Sequence, residues 1–459
     1  MDDLLDLARR DDIRLVRFLY VDNAGVTRGK AVTAKTLARK LVEGVGLTRA
    51  QMAMNLLEQV VPVEGMEPVG EIRLVPDPDT WTILPWAPGC ASLLCNQLDH
   101  DRQDWGACPR LYLQRMINRA ANQGIRVEAS FENEFYLLDQ EGRPFDRSPV
   151  YSSIGLDASW GVMSDILKAL DAQGISAEQA INEYGPGQEE ISIRSTPALD
   201  AADRQVKLKD TVRGAALQHA LHASFAPKPF PSEIGSGAHL HLSLWDADSS
   251  PPKQSSRNRS ARSQPRNLLY DAARERGLSD LGRHAVGGML AHLPGLLAIT
   301  CPSYNSYRRL QPGAWASAYS AWGFDNREAA VRVASPFWGR ENQTFNLELK
   351  PIDGSANPYV ALGATIAAML DGIERRLDPR EPCEHDPAGL GEAQRAELGI
   401  SPLPSSLASA LDRLEHDDLL LGTFPDLLRR SFLAVRRSEL EAFSSHDEEY
   451  ELAWHRYRY

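Results

Sequence analysis

The chain has no excess of positive charge: 50 lysines and arginines face 62 aspartates and glutamates, a formal net charge of −12. A general binder of nucleic acid or of an anionic membrane would be repelled by its own partner, so both classes are excluded. Cysteine is scarce. The five present (Cys90, Cys95, Cys108, Cys301, Cys383) are scattered, and none forms a CxxC pair. An odd, scattered set suits a reducing compartment better than a disulfide framework. Long apolar runs are missing. Nothing approaches the roughly 20 residues that span a bilayer, and the acidic start Met1-Asp2-Asp3 has no apolar signal core. The expectation is a cytoplasmic protein. There is no repeat, no GxxxxGK[ST] loop and no protein-kinase signature, so a bound nucleotide must be held another way.

Apolar residues make up 43% and charged residues 24% of 459 positions, an ordinary globular composition with length for roughly two or three domains. Ile13 to Val21 reads as a strand, Asp22-Asn23-Ala24-Gly25 as a turn, and Gly29 to Thr33 as a second strand. Residues 35–42 read as helix. Residues 70–75 and 80–85 read as extended, punctuated by Pro76, Pro78 and Pro85. The polar stretch Asp99 to Asp104 then divides a small β-rich domain, 1–103, from a larger one, 104–459. The larger one alternates helices (109–123, 157–173, 199–223, 279–300) with strands (125–129, 130–138, 188–194, 237–245, 328–333, 344–351). This order indicates α+β and lacks the strict βαβ rhythm of a parallel sheet. Residues 246–266, rich in Ser, Pro and Arg, cannot bury a core and read as a mobile surface insertion.

Four segments of the larger domain put chemistry on one strand face. In Ser130-Phe131-Glu132-Asn133-Glu134-Phe135 the period of two sends Glu132 and Glu134 to one side and the phenylalanines to the other. Glu183 and Glu190 flank a Gly185-Pro186-Gly187 turn. His239, His241 and Ser243 alternate with leucines after Gly235, and Glu348 and Lys350 alternate with Leu347 and Leu349. Together they imply a barrel-like sheet with a polar concave face. Carboxylates crowded there cannot all stay ionised unaided. Divalent ions remove that cost, and oxygen donors with imidazole suit Mg²⁺ or Mn²⁺. Five carboxylates against two such ions leave −5 against +4, with room for nucleotide phosphates. A second constellation is basic: Arg308 and Arg309 in Asn305 to Gly313, then Arg327 and Arg332. Guanidinium forks neutralise charge in phosphoryl transfer.

These motifs, in this order, resemble the glutamine synthetases of bacterial type. The strand acids match Glu132 and Glu134, the E-x(6)-E segment matches Glu183 and Glu190, and the NGSGMHxH strand matches Gly235 to His241. The NSYKRLxPG loop matches Asn305 to Gly313, and the last segments match Arg327, Arg332, Glu348, Asp353 and Ala356-Asn357-Pro358-Tyr359. The resemblance implies a β-grasp-like N-terminal domain and a catalytic domain with a funnel-shaped antiparallel sheet flanked by helices. It implies a homo-oligomer of two stacked rings, commonly a dodecamer, with sites between subunits. One metal would be held by Glu134, Glu183 and Glu190, another by Glu132, His239 and Glu348. His241 and Ser243 would lie near ATP, Arg327 and Arg332 would face its phosphates, and Arg309 would bind the acid substrate or its acyl phosphate. The implied reaction is ATP-dependent: a carboxylate takes the γ-phosphoryl group, and an amine then displaces phosphate.

Departures from the family pattern cluster. The glutamate that follows the PG of the NSYKRLxPG loop is Trp315 here, and the Asp of a DGSS segment is missing where Gly46-Leu47-Thr48-Arg49 stands. The Asn of NGSG is Ile234, leaving Gly235 at the substrate position. Lys350 replaces an arginine fork, and Asn346 another arginine. The metal and ATP half is kept, the ammonium half is stripped and the glutamate half is altered. Trp315 offers an apolar face or a cation–π contact, suited to an organic amine. The expectation is therefore a γ-glutamyl-amide ligase acting on small molecules. The alternatives are a true glutamine synthetase, a ligase for another carboxylic acid, and a non-catalytic relative.

Overall fold

The computed structural model describes residues 2–247 and 265–459. Most of the expected insertion, 248–264, lies outside the described residues. The N-terminal portion is a mixed sheet of β1 (Leu15–Val21), β2 (Thr27–Thr33), β3 (Val45–Thr48), β4 (Glu71–Pro76), β5 (Thr82–Ile83) and β6 (Cys90–Leu98). The order is β2-β1-β6-β4-β3, with β5 on β6. The hairpin β1–β2 is antiparallel, and β6 runs parallel to β1, as in a β-grasp. Alternate residues of β1 (Val16, Phe18, Tyr20) are buried against Leu37 of the helix Ala34–Glu43.

The larger sheet comprises β7 (Ile125–Leu138), β8 (Ala177–Asn182), β9 (Gln188–Ile193), β10 (Thr196–Pro197), β11 (His222–Ser224), β12 (Ala238–Asp246), β13 (Trp322–Phe324), β14 (Val331–Ala334) and β15 (Asn346–Leu349). Its order is β13-β14-β15-β12-β7-β9-β8, with β10 and β11 also on β7. Every pair is antiparallel except β13–β14, which is parallel. Residues 125–138, read as two strands, form one continuous strand that pairs with β9, β10, β11 and β12. The helix expected over 199–223 stops at Gln218, and His222–Ser224 joins the sheet. Neither the helix Asp2–Arg10 nor any of the six α-helices from Pro358–Arg375 to Glu448–Arg458 had a sequence reading. No helix among the described residues is long and apolar enough to cross a membrane.

The apolar face of β7, β12 and β15 (Phe131, Leu240, Leu242, Leu347, Leu349) packs with the helices Asp280–Thr300 and Pro358–Arg375 in one core. These two helices touch backbone to backbone: a Cβ on Gly288 would lie 2.1 Å from Ala368 O, and one on Gly372 would lie 2.2 Å from His284 O. Trp105 and Ala107, just past the expected division at 103, belong to the core of the N-terminal sheet; we propose that the two portions meet there.

The turn between β1 and β2 is not a surface turn. Asp22, Asn23 and Ala24 are fully buried. The Arg436 guanidinium donates to Asn23 O and Pro302 O and pairs with Glu439 at 2.7 Å. The Asn357 amide donates to Asp22 O at 3.0 Å while its carbonyl oxygen caps the helix Pro358–Arg375. Gly25 has φ +79°, and a Cβ there would sit 2.1 Å from Ser355 O, so the position requires glycine.

A buried imidazole ties three helices together. His292 Nδ1 lies 2.8 Å from Asp417 Oδ2, and Nε2 lies 3.0 Å from Asp371 Oδ2. Asp417 caps the helix Asp418–Thr423, and Asp371 also pairs with Arg375 at 3.0 Å. Burial opposes protonation of His292, but the two aspartates outweigh it and raise its pKa above 6.5. A raised folded-state value stabilises fully below the unfolded value and is lost as pH climbs through the folded one. We predict that His292→Leu lowers stability by about 3 kcal/mol at slightly acidic pH. The loss should shrink as pH rises past the folded value; a loss that grows with pH in denaturant titrations would contradict this account.

Candidate active site

Register brings the polar faces together. His239 lies opposite Glu132, and Glu132 lies opposite Ser192 across β12, β7 and β9. Glu134 lies opposite Glu190. One step along the strands, Arg332, Glu348, His241 and Ser130 form a row across β14, β15, β12 and β7. Glu183 joins from the turn after β8, where its N–H donates to Gln188 O at 2.8 Å. All six sequence-derived ligand candidates therefore converge on one face.

Their charges divide it into two halves. On one side Glu348, Lys350, Arg332, His241, His239 and Glu132 interleave. Arg332 Nε is 2.7 Å from Glu348 Oε2, Lys350 Nζ is 3.6 Å from Glu348 Oε1, and His239 Nδ1 is 3.3 Å from the same oxygen. His241 Nε2 is 3.3 Å from Glu132 Oε2, and its Nδ1 is 2.9 Å from Asn346 Oδ1. Burial works against the charged forms here, but Glu132 draws His241 up to about 9, and Lys350 with the imidazoles draws Glu348 down to about 2. Hydrogen bonds from His239 and His241 likewise hold Glu132 below the usual range against its burial. His239 goes the other way, lowered by burial and by Lys350.

In the other half, no lysine or arginine among the described residues pairs with Glu134, Glu183 or Glu190. Ser192 Oγ lies 3.1 Å from Glu132 Oε1 and 3.3 Å from Glu190 Oε1, bridging the two acids. Glu134 Oε2 accepts Gly237 N–H at 2.9 Å. Burial, then Glu132, Glu134 and Glu183, push Glu190 up to about 9; burial and Glu134 raise Glu183. Electrostatics thus leave a deficit of positive charge among Glu134, Glu183 and Glu190.

Hard oxygen donors with imidazole fit a divalent ion. Beyond their ion-pair contacts with Glu132 and Arg332, the buried His241 Nε2 and Glu348 Oε2 make no hydrogen bond of good geometry, which leaves both open to a cation. Among the described residues, Glu132, His241 and Glu348 offer donor atoms within 4.8 Å of one another. His241 stands here in the set where the resemblance implied His239, which lies 3.3–3.8 Å from Glu132, Glu134 and Glu348.

The remaining candidates sit around this face. Arg309 is buried: its Nη1 donates to Ile352 O at 3.2 Å, and its Nη2 lies 3.2 Å from His239 Nε2. It also packs on Gly235, where a Cβ would meet Arg309 Cγ at 2.7 Å. Ser243 accepts from Trp245 Nε1 at 2.9 Å further along β12. Arg327 is exposed and near Tyr151, where it partly offsets the burial and the Glu183 charge that raise the Tyr151 phenol. Trp315 is 50% exposed and stands edge-on to Tyr184, 56% exposed, with centroids 6.5 Å apart. Sequence reading missed Ser192, Tyr151 and Glu328. Ser192 follows Glu190 at period two, so alternation could have found it. Tyr151, whose hydroxyl lies 3.4 Å from Glu183 Oε2, and Glu328, which accepts Trp315 N–H at 3.0 Å, sit in irregular segments with no such signal.

If crowding raises Glu190, removing its charge relieves the site. Glu190→Gln is expected to raise the thermal midpoint by roughly 1–2 °C in chelator. A lower midpoint in the same scan would rule out repulsion as the cause.

Comparison with known proteins is consistent along the chain. Residues 106–455 match the family model described as glutamine synthetase, catalytic domain, and residues 2–107 match glutamine synthetase N-terminal domain. The gamma-glutamylpolyamine synthetase GlnA3 of Streptomyces coelicolor is 33% identical over 447 residues, 96% of this chain and 92% of that protein. The glutamine synthetase of Pyrococcus abyssi is 32% identical over 437 residues, 94% of this chain and 91% of that protein. Among solved structures, a glutamine synthase homolog superposes with a TM-score of 0.85 at 33% identity, covering 97% of this chain and 99% of that one. A GmaS/ADP complex does so with a TM-score of 0.84 at 29% identity, covering 98% of each chain.

Proposed function

Because the chain belongs to the glutamine synthetase family of ATP-dependent ligases, we propose that it joins the side-chain carboxylate of glutamate to an organic amine. The observation that carries this reading is an aromatic pair: Trp315 and Tyr184, half exposed and edge-on to one another beside the acidic Glu183, form the entrance we assign to the amine. Aromatic faces attract alkylammonium ions through cation–π contacts and pack against their alkyl part. Two relatives support the frame. One is a gamma-glutamylpolyamine synthetase, and one structural relative was solved with ADP.

Members of the family use ATP and divalent metals. Our assignment for this chain is Mg²⁺ or Mn²⁺, with Glu134, Glu183 and Glu190 holding one ion and Glu132, Glu348 and His239 or His241 holding another. Bound ions would supply positive charge to the carboxylates and to the phosphoryl oxygens. Arg327 and Arg332 are our choice for the phosphates, and His241 and Ser243 for the nucleotide end. Arg309 and Lys350, both buried cations, would orient the acid beside Gly235. The acid oxygen attacks the γ-phosphorus, the bond to ADP breaks, and the acyl phosphate that results is held by Arg309. The amine then displaces phosphate. We also propose a ring-stacked homo-oligomer with sites between copies.

A true glutamine synthetase is the reading to be beaten, given the Pyrococcus relative. Lys350 and Ile234 keep a different acid open. ATP-dependent phosphate release, measured with glutamate and a panel of amines, decides: at least roughly tenfold higher kcat/KM for an organic amine than for ammonium is expected, and robust turnover with ammonium overturns the reading. For the ions, Mn²⁺ at about a hundredfold over its Kd should stabilise by about 2.7 kcal/mol. Glu190→Gln should lose most of that gain; an unchanged gain would remove Glu190 from the ligands.

A further inference from the structure

The loop that carries Trp315 hangs from the segment before β14 at two points. Trp315 N–H donates to Glu328 Oε1 at 3.0 Å, and Ser317 Oγ donates to Ala329 O at 2.9 Å. Both loop residues have left-handed backbone, φ +53° at Trp315 and +70° at Ser317. Such a conformation is costly for a bulky side chain and persists where surrounding contacts enforce it. Glu328 is thus the fixed post that sets the tryptophan. Its second oxygen has no hydrogen bond, and no Lys or Arg lies within ion-pair distance of it among the described residues. The residue is only partly exposed, bonded to the Trp315 backbone and near the buried Lys350 of the acid end.

We infer that Glu328 binds the ammonium form of the incoming amine and takes its proton before attack. The inference rests on the ligase reading above and names the residue that reading lacks. Trp315 and Tyr184 wall the alkyl part, so the substrate class is a primary alkylamine. The first step is a transfer from R–NH₃⁺ to the Glu328 carboxylate, giving R–NH₂ and the carboxylic acid. The nitrogen lone pair then forms the C–N bond at the acyl-phosphate carbon. The C–O bond to phosphate breaks with its electron pair on phosphate, which receives the second nitrogen proton. Glu328 returns its proton to solvent. Burial, with Asp386 adding to it and the Trp315 N–H and Lys350 opposing, holds the Glu328 carboxyl above the usual carboxylate range, which makes its carboxylate a better proton acceptor.

The test compares nucleophiles that differ in charge. Glu328→Gln keeps an oxygen to accept Trp315 N–H but loses the negative charge. Hydroxylamine is already neutral at neutral pH and needs no base. The ratio of alkylamine to hydroxylamine turnover is expected to fall at least about tenfold in Glu328→Gln and to recover in part in Glu328→Asp. KM for ATP should stay within about twofold. Equal losses with both nucleophiles, or no loss with either, overturn the assignment. If the wild type prefers ammonium to every alkylamine, the organic-amine reading fails separately, and ammonium against hydroxylamine then tests Glu328 by the same ratio.

Discussion

The site is built around unbalanced negative charge. Glu132, Glu134, Glu183, Glu190 and Glu348 share one sheet face, and the chain supplies cations to only part of it. Where Lys350, Arg332 and the imidazoles reach, Glu132 and Glu348 are held ionised. Where they do not, Glu190 is driven to hold its proton. A fold that assembles such a face gives up stability locally, and the divalent ions proposed above would return the charge. The position of β7 follows from this constraint. Its long run gives one strand in which Glu132 and Glu134 face the site and Phe131 and Phe135 anchor the opposite side in the apolar cores.

Rigidity behind that face comes from the way the two portions of the chain are locked. The turn Asp22–Gly25 enters the larger portion and is gripped by Arg436, Asn357 and the Tyr459 hydroxyl. Ser355, whose carbonyl forbids a side chain at Gly25, is two residues from Asp353 and five from Lys350 along the chain after β15. The N-terminal sheet therefore buttresses the segment that continues from Glu348 and Lys350.

Much of this was legible in the sequence, for physical reasons. Period-two alternation in Glu132–Glu134, His239–His241–Ser243 and Glu348–Lys350 has one meaning in a half-buried strand, and the structure brings those residues onto one face. The helices with clear apolar faces lie close to their expected ranges, as at Pro109–Ala121 and Asp280–Thr300. What was not legible depends on register and on distance in sequence. Which imidazole lies nearest Glu132 and Glu348 is set by the pairing of β12 with both neighbours. The burial of Asp22–Gly25 depends on Arg436, more than four hundred positions away. Glu328 and Tyr151 sit in irregular backbone, where no period marks a side chain as facing a site.

The placement of Trp315, Tyr184, Tyr151 and Glu328 has a further meaning. None lies on a paired strand, whereas Glu132, Glu134, Glu190, His239 and Glu348 all do. In the reading proposed above, the residues assigned to the amine are thus mechanically separable from those assigned to the acid. On that reading, substitutions in these loops would retune which nucleophile is accepted while the strands stay in register. A single scaffold of this kind offers a modular route to new amide products, with the selectivity filter exchanged and the engine left in place.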